Sequence, residues 1–299
     1  MGSMNKFINN RPHKKIDYSN YYFILPAFLF YIIFVLYPLA DTFYTSFTQW
    51  SGIGEKKWVG LENYYNNLND VKIISSIKHS FILIIFYSFF PIIIGLAIAG
   101  IMVRVKVKGI AFYRAILFLP QILSMIVVGI AWRWIYAPKG PLNTGLDFLG
   151  LDNWSRAWLG SFDFALPFVG LIGTWVMFGF AMILFIAGVQ KIPTELYDAA
   201  KVDGAGPFAE FFNVTLPALK GEIIVALVFT VTLALRNFDL IYITTGGGPG
   251  TSTMIPSMFI YKKAFQMNQV GSASSLGIML TLLIFTLISL ILITLREKK

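Results

Sequence analysis

Five stretches of this sequence contain no Asp, Glu, Lys or Arg, and each is about as long as a membrane-spanning helix. They lie between Asp17 and Asp41, Lys78 and Arg104, Arg114 and Arg133, Asp163 and Lys191, and Lys263 and Arg296. A helix needs about 20 mostly apolar residues to cross the hydrocarbon core of a bilayer. The stretches are continuously apolar rather than alternating, a pattern that favours helices over barrel strands. With 57% hydrophobic and 13% charged residues, the chain could not cover its apolar surface in water. It is predicted to be an integral membrane protein.

The predicted fold class is an all-α membrane protein with six transmembrane helices. Five follow from the charge-free stretches, and the sixth is an apolar run that Arg236 and Asp239 interrupt. The predicted helices lie near 22–46, 79–103, 113–136, 165–190, 222–245 and 275–295.

The distribution of Lys and Arg predicts the orientation. Six spans place both termini on one side, and cytoplasmic connections carry an excess of basic residues. The two termini with the second and fourth connections hold fourteen Lys and Arg, against nine on the other side. The short second connection is the most basic, with Arg104, Lys106, Lys108 and Arg114. Both termini are therefore predicted to be cytoplasmic, and the +9 net charge needs no nucleic-acid partner.

The N-terminal segment 1–20 is predicted to be cytoplasmic, followed by a membrane domain over 21–299. Residues 1–3, before Met4, look like a cloning scar. The first helix is too long for a signal peptide and continues through Tyr37 and Pro38 without a small-residue cleavage site. It is expected to remain as a span.

Several kinds of chemistry are missing from the sequence. There is no cysteine, hence no disulfide, thiolate nucleophile or Cys-ligated metal. The two histidines, His13 and His79, belong to no zinc-protease motif, and no G-x-x-x-x-G-K-[ST] sequence could cradle ATP. We predict no catalytic residue, no metal site and no cofactor bound by this chain.

The fourth connection, 191–221, is long for a link between membrane helices. Thr194 is a plausible N-cap, with Glu195 in the first helical turn. Gly204 to Pro207 should break this helix, and a second short helix with Phe208, Phe211 and Phe212 should end at Pro217. By physics alone, the loop is either an interfacial anchor or a docking element for another protein.

A resemblance favours docking. The run Glu195-Leu196-Tyr197-Asp198-Ala199-Ala200, then Asp203-Gly204-Ala205 and Leu216-Pro217, resembles the EAA signature of binding-protein-dependent ABC importer permeases. Asp198 stands where that signature has Glu. Asn237 to Tyr242, Thr245 to Pro249 and Gly60 to Tyr64 are similar to the carbohydrate branch, typified by the maltose-transporter membrane subunits. The resemblance covers the chain from about residue 20 and is greatest to the first of the paired permeases.

This resemblance implies a type I importer fold, a second homologous permease and two cytoplasmic ATPase subunits that carry ATP and Mg. It also implies an extracellular solute-binding protein, a sugar substrate, and a bacterial or archaeal cytoplasmic membrane. The chain itself would not be an enzyme. The expected ATPase-coupling residues are Glu195, Asp198, Ala199, Ala200, Asp203, Gly204 and Ala205.

The substrate path is expected where polar residues and the family's pore positions fall within the spans. The candidates are Gln121, Ser124, Gly173, Trp175, Met177, Thr230, Leu233, Ala234, Arg236, Asn237 and Asp239. Charged groups inside a membrane usually face a cavity or a partner. Arg236 and Asp239, three residues apart, could pair to lock the helix or could face the sugar. Pro120 suggests a locally broken helix beside Gln121.

An outer loop containing Gly246, Gly247, Gly248 and Pro249 must leave the membrane in an irregular turn. It is either a structural cap or part of an outer gate and of the landing surface for the solute-binding protein. Three rival functions stay open from the residues alone: an ABC permease for a non-sugar solute, a secondary transporter, and a membrane enzyme.

Overall fold

The computed structural model describes residues 19–102 and 109–295. Most of the basic residues that predict the orientation fall outside these ranges, at 1–18, 103–108 and 296–299. Cytoplasmic termini therefore stay a prediction, and "outer" and "cytoplasmic" below name the predicted sides.

The chain divides into two compact units, residues 1–44 and 45–299. The first unit is helical where it is described: Ser19–Tyr31 and Tyr37–Thr45 are joined by a π-helical turn, Ile32–Leu36. The Tyr37 N–H bonds to the Ile32 carbonyl, so the hydrogen-bond register changes immediately before Pro38, which has no N–H. The span predicted near 22–46 corresponds to these segments, in which Tyr22–Thr45 is long and apolar enough to cross a membrane.

The second unit is almost entirely helical. Its α-helices are Glu62–Asn69, Val71–Ile84, Phe90–Met102, Ile110–Ile122, Met125–Ile135, Pro141–Phe148, Ala165–Val189, Thr194–Val202, Pro207–Glu210, Leu216–Ala218, Lys220–Arg236, Asp239–Thr244, Pro256–Tyr261 and Val270–Leu295. Ile85–Phe89, Phe211–Thr215 and Lys262–Gln266 are π-helical turns, and Asp152–Trp154 is a 3-10 turn. A short antiparallel hairpin pairs Thr48–Gln49 with Lys57–Trp58, with Thr48 opposite Trp58.

Six spans can be counted among the described residues. Four helical stretches are long and apolar enough to cross a membrane alone: Tyr22–Thr45, Val71–Met102, Ala165–Val189 and Val270–Leu295. Two bent pairs supply the others: Ala111–Ile122 with Met125–Ile135, and Pro207–Ala218 with Lys220–Arg236. In chain order they are called spans 1 to 6. The name span 5 is kept for Lys220–Arg236 and its continuation Asp239–Thr244, because Pro207–Ala218 lies in the predicted coupling loop 191–221. The predicted all-α class is confirmed.

Spans 2 and 6 begin earlier than predicted, at Val71 and Val270 rather than 79 and 275. Asp70 is the N-cap of span 2, and its carboxylate accepts a hydrogen bond from the Lys72 N–H at 2.9 Å. The first turns of this helix therefore contain charged residues. A prediction based on charge-free sequence places the start of the helix too late for that reason. Span 4, predicted over 165–190, matches Ala165–Val189.

Two spans predicted to be single helices are interrupted. Span 3, predicted over 113–136, bends by 95° because Leu123 and Ser124 are extended. The bend comes three residues after Pro120, whose missing N–H weakens the helix there, as the sequence predicted. Span 5, predicted as one helix over 222–245, ends at Arg236 and resumes at Asp239.

Span 4 is the centre of the second unit. It packs against Phe90–Met102 and Ile110–Ile122. Its glycines permit close approach: a Cβ on Gly173 would lie 2.0 Å from the Tyr87 ring, and one on Gly95 would lie 2.9 Å from the Ala181 backbone. The core forms two apolar clusters, one around Tyr87, Met177 and Leu240 and the other around Met182, Phe185 and Leu219. This packing fixes the positions of the interrupted spans 3 and 5.

Candidate substrate path and coupling site

A hydrogen bond between half-buried Asn237 and buried Tyr87 lies at the interruption of span 5. Asn237 has extended backbone torsions, φ −56° and ψ 127°. Its Nδ2 donates to the Tyr87 hydroxyl at 2.8 Å, and the Ser257 hydroxyl donates to its backbone carbonyl. Tyr87 is buried against Gly173 of span 4. Asn237 therefore joins span 2, span 5 and the outer segment, and its amide is already engaged.

Arg236 and Asp239 lie on either side of this interruption and are both exposed. The sequence placed them on one helical face, but the helix that would align them does not exist. Within the described part of the chain they form no ion pair with each other. The ion pair that would have stabilised the helix is therefore absent from this structure. That Arg236 and Asp239 face the substrate stays a prediction.

Two of the polar residues predicted to line the substrate path lie at the bend of span 3. Ser124 is exposed at the bend itself. Gln121, one turn earlier, has a buried Oε1 atom that accepts no hydrogen bond from any described residue. A buried amide oxygen without a partner is costly, because its lost hydration is not replaced. Gln121 is thus a position where a hydroxyl donor would gain a contact.

Most of the other predicted path residues are packed into the core. Met177 and Ala234 are fully buried in the cluster around Tyr87, and Gly173 contacts the Tyr87 ring. Thr230 is also buried, and its hydroxyl donates to the Ala226 carbonyl at 2.8 Å. Trp175 meets Trp132 edge to face at 5.5 Å, and Leu233 packs against the same cluster. In this conformation these residues are engaged in packing or in hydrogen bonds within the protein, and their place on a substrate path stays a prediction.

Sequence reasoning missed a row of aromatic rings beside the interruption of span 5. Phe238 stacks on Tyr242 at 5.2 Å, and Tyr261 lies 5.2 Å from Phe238 and 5.4 Å from Phe265. We call these four residues the aromatic strip. Tyr242 is 44% and Phe265 is 75% exposed. The i, i+4 spacing within each pair was a readable signal, but nothing in the sequence joined the two pairs.

The outer glycine loop is a closely hydrogen-bonded turn. Gly246 and Gly247 have positive φ, 60° and 94°, which side chains disfavour. The Thr253 hydroxyl donates to the Gly248 carbonyl at 2.8 Å. His79 Nδ1 lies 2.8 Å from the Met254 carbonyl, which ties the end of this loop to span 2. Together these contacts form an ordered turn next to the aromatic strip.

The predicted coupling loop contains the two expected short helical segments. Thr194–Val202 is followed by Pro207–Ala218, which includes a π-helical turn. Thr194 is the first helical residue rather than the N-cap, which is Pro193. The Gly204 N–H bonds to the Lys201 carbonyl and the Ala205 N–H to the Ala200 carbonyl, with Gly204 at φ +76°. This is a Schellman cap, and it explains why the motif contains glycine at this position.

The helix Thr194–Val202 presents its motif side chains to solvent. The coupling candidates Glu195, Asp198, Ala199, Asp203 and Gly204 are exposed, and Ala200 and Ala205 are half-buried. The apolar side chain of Val202 is 87% exposed. The sequence analysis did not include this residue among the coupling candidates. The Tyr197 and Thr215 hydroxyls are 3.0 Å apart and hold the two helices together.

The base of the loop is closed by packing and charge. Lys191 Nζ lies 3.2 Å from Glu222 Oε1, which links the end of span 4 to the start of span 5. Leu219 is fully buried against Gly188. A multi-pass helical membrane protein with interrupted spans and an exposed, capped helix at one end has the construction of a transporter subunit.

Comparison with known proteins also indicates a transporter subunit. Residues 92–299 match the family described as "Binding-protein-dependent transport system inner membrane component". The chain is 36% identical over 260 residues to the probable ABC transporter permease protein YurN of Bacillus subtilis, covering 86% of this chain and 89% of that protein. It is 32% identical over 291 residues to the diacetylchitobiose uptake system permease protein NgcF of Streptomyces coelicolor, with 90% and 81% covered.

A solved structure has the same fold. It is the crystal structure of a bacterial alginate ABC transporter in complex with a periplasmic protein that holds an alginate pentasaccharide. The TM-score is 0.77 at 22% identity, with 94% of each chain covered. The chain belongs to the family of binding-protein-dependent transport system inner membrane components, and it is an ABC importer permease with a type I permease domain. A secondary transporter and a membrane enzyme are thereby disfavoured.

Proposed function

We propose that this chain is one of two homologous permease subunits of an ATP-driven importer for a sugar or oligosaccharide. The observation that carries the proposal is the aromatic strip beside exposed Arg236 and Asp239 at the interruption of span 5. Sugars have apolar faces that stack on rings and hydroxyl rims that need polar partners. The name of the Streptomyces relative, a diacetylchitobiose permease, supports the same substrate class.

ATP hydrolysis belongs, in this proposal, to two separate cytoplasmic ATPase subunits that hold ATP and Mg. The absence of a P-loop motif from the sequence supports this division. The ATPases dock on the helix Thr194–Val202 through its exposed motif residues and Val202. Because the Schellman cap and the Tyr197–Thr215 contact make the loop a compact unit, ATPase movement passes to spans 4 and 5 as a rigid-body displacement.

The substrate enters from a solute-binding protein on the outer side and passes between the two permeases. In this path Gln121 and Ser124 at the bend of span 3 meet sugar hydroxyls. Arg236 and Asp239 form its other polar wall, and Asn237 holds the interruption between them in place. The loop Gly246 to Pro249 acts as the outer gate. The subunit lies in a bacterial or archaeal cytoplasmic membrane with both termini inside. The chain itself is not an enzyme and binds no cofactor.

The experiment is reconstitution with the second permease, the ATPases and the solute-binding protein in proteoliposomes, followed by uptake of labelled oligosaccharides. We expect uptake that requires ATP and the binding protein and is selective for one glycan class. Uptake of a labelled amino acid, polyamine or phosphate instead would assign a non-sugar solute. Uptake driven by an ion gradient without ATP would contradict the importer itself.

A further inference from the structure

An apolar cleft of about 380 Å³ lies between the end of span 2 and the second helical segment of the coupling loop. Every described residue that lines it is apolar. One wall includes Ala97, Gly100 and Ile101 of span 2, and the other includes Phe208, Phe211 and Phe212 of the loop. We call it the phenylalanine cleft. It is separate from the proposed substrate path and from the helix on which the ATPase is proposed to dock.

The cleft exists because span 2 has small side chains where the loop crosses it. The Phe211 ring packs directly over Gly100, where an added Cβ would lie 2.9 Å from the ring. Beside this contact, the small side chain of Ala97 leaves the space open. Phe211 and Phe212 meet edge to face at 5.3 Å, which fixes the two rings relative to each other. Both walls of the cleft are thus formed by defined packing.

The loop segment that forms one wall has two different faces. Glu210 and Thr215 are buried, and the Thr215 hydroxyl lies 3.0 Å from that of Tyr197 on the coupling helix. Glu210 lines a cavity together with Tyr197. Phe208 and Phe212 are exposed instead, Phe208 to 81%. A helical segment with a polar face and an apolar face is suited to the boundary between the headgroups and the hydrocarbon of a bilayer.

The other wall continues the exposed apolar surface of span 2. The exposed residues at intervals of four share one side of this span: Ile85, Phe89, Ile93, Ala97 and Ile101. Apolar residues exposed along a membrane-spanning helix contact lipid chains or another membrane helix. A turn of α-helix, about 10 Å across and about 5.4 Å high, occupies about 420 Å³ and does not fit into the cleft. A single flexible hydrocarbon chain does fit.

We infer that the phenylalanine cleft holds an acyl chain of a phospholipid from the leaflet on the coupling-loop side of the membrane. The cleft offers only apolar contacts, shares Ala97 and Ile101 with the exposed side of span 2, and has an interfacial segment as its second wall. The chain covers the exposed Phe208 ring and links the coupling loop to the bilayer. Of the two roles that the sequence left open, docking then belongs to the helix Thr194–Val202 and anchoring to the segment after it. The inference does not depend on which solute is carried.

The test is photolabelling of the complete importer in nanodiscs that contain phosphatidylglycerol with a diazirine on one acyl chain. Trypsin cleaves after Lys201 and Lys220, so the single peptide 202–220 reports label on the loop wall, and its fragmentation locates the label. Ala97→Phe fills the cleft from span 2 and leaves the loop sequence intact. Phe208→Ala removes an exposed ring from the other wall. Ala115→Phe is the matched control, because Ala115 is an exposed alanine of span 3.

We expect label between Phe208 and Phe212 in the wild type. Ala97→Phe and Phe208→Ala should each lower it about fivefold, the change expected from lost contact with one or two methylene groups. Ala115→Phe should leave it unchanged. An unlabelled peptide in the wild type, or undiminished label in Ala97→Phe, would overturn the inference.

A second comparison separates lipid from protein as the occupant. The isolated permease and the complete importer should carry equal label on this peptide. Label that disappears in the complete importer would also overturn the inference, because another subunit would then cover the cleft. Absence of sugar uptake by the same preparation would contradict the proposed function and leave the labelling result unaffected.

Discussion

Tyr87 and Asn237 are 150 positions apart in the sequence, yet the Asn237 amide donates to the Tyr87 hydroxyl at 2.8 Å. This bond lies where span 5 stops being helical. It gives the buried Tyr87 hydroxyl a hydrogen-bond partner, and it ties the interruption to span 2. The non-helical segment of the permease is therefore a fixed element of the structure.

Tyr87→Phe should destabilise the permease by about 1 kcal/mol, because it leaves the half-buried Asn237 amide without its acceptor. Thermal unfolding of the purified complex in detergent measures this. Tyr113→Phe is the control, since Tyr113 is 53% exposed. Adding Asn237→Leu to Tyr87→Phe should cost less than the sum of the two single variants. Equal unfolding temperatures for Tyr87→Phe and Tyr113→Phe would show that the bond has no stabilising role.

Gly204→Val should weaken coupling of ATP hydrolysis to transport while the protein still inserts. A β-branched residue is disfavoured at φ +76°, so the Schellman cap would open at a cost of about 1–2 kcal/mol. A Cβ at Gly204 has no other atom within 4 Å, so the effect is conformational rather than steric. Gly204→Asn, which tolerates this φ, should stay close to wild type in the ratio of substrate transported to ATP hydrolysed. Equal losses in both variants would contradict a conformational role.

Gly247→Ala should disturb the outer loop much more than Gly248→Ala. A Cβ on Gly247 would lie 2.2 Å from the sulfur of buried Met254, and its φ is +94°. The nearest atom to a Cβ on Gly248 is 3.4 Å away, an ordinary contact. We expect Gly247→Ala to cost about 1–3 kcal/mol and to reduce stimulation by loaded binding protein. If stimulation is normal in both variants, the loop is a structural cap and not a gate.

Single cysteines test the orientation, because the native sequence has none. Pro207 and Thr251 are exposed and lie at opposite predicted sides. Pro207→Cys should react with a membrane-impermeant maleimide only after the membrane is opened, and Thr251→Cys in intact cells. The reverse pattern would invert the topology.

The sequence predicts this fold well where the chain meets lipid, because continuous apolar length is itself the physical requirement for a span. The helix end at Gly204 is predicted equally well, because a glycine that ends a short helix is required by the backbone geometry at that position alone. Interruptions stabilised at a distance are harder to predict. The break at Asn237 depends on Tyr87, and no local pattern distinguishes a polar residue that lines a path from one that bonds to a neighbouring span. Thr230 and Asn237 were both expected to face substrate, whereas their polar atoms bond within the protein.

Because the two ends of the coupling loop are held together, the loop can be exchanged for that of another permease. Lys191 pairs with Glu222, and Leu219 fills the space beside Gly188, so the segment between them begins and ends at one place in the bundle. Such a segment can be replaced by that of another permease without moving either span, provided that these four residues are kept. In the proposed function, recognition of the ATPase is thus confined to residues 192–218, and grafting this segment should give a permease a different ATPase partner.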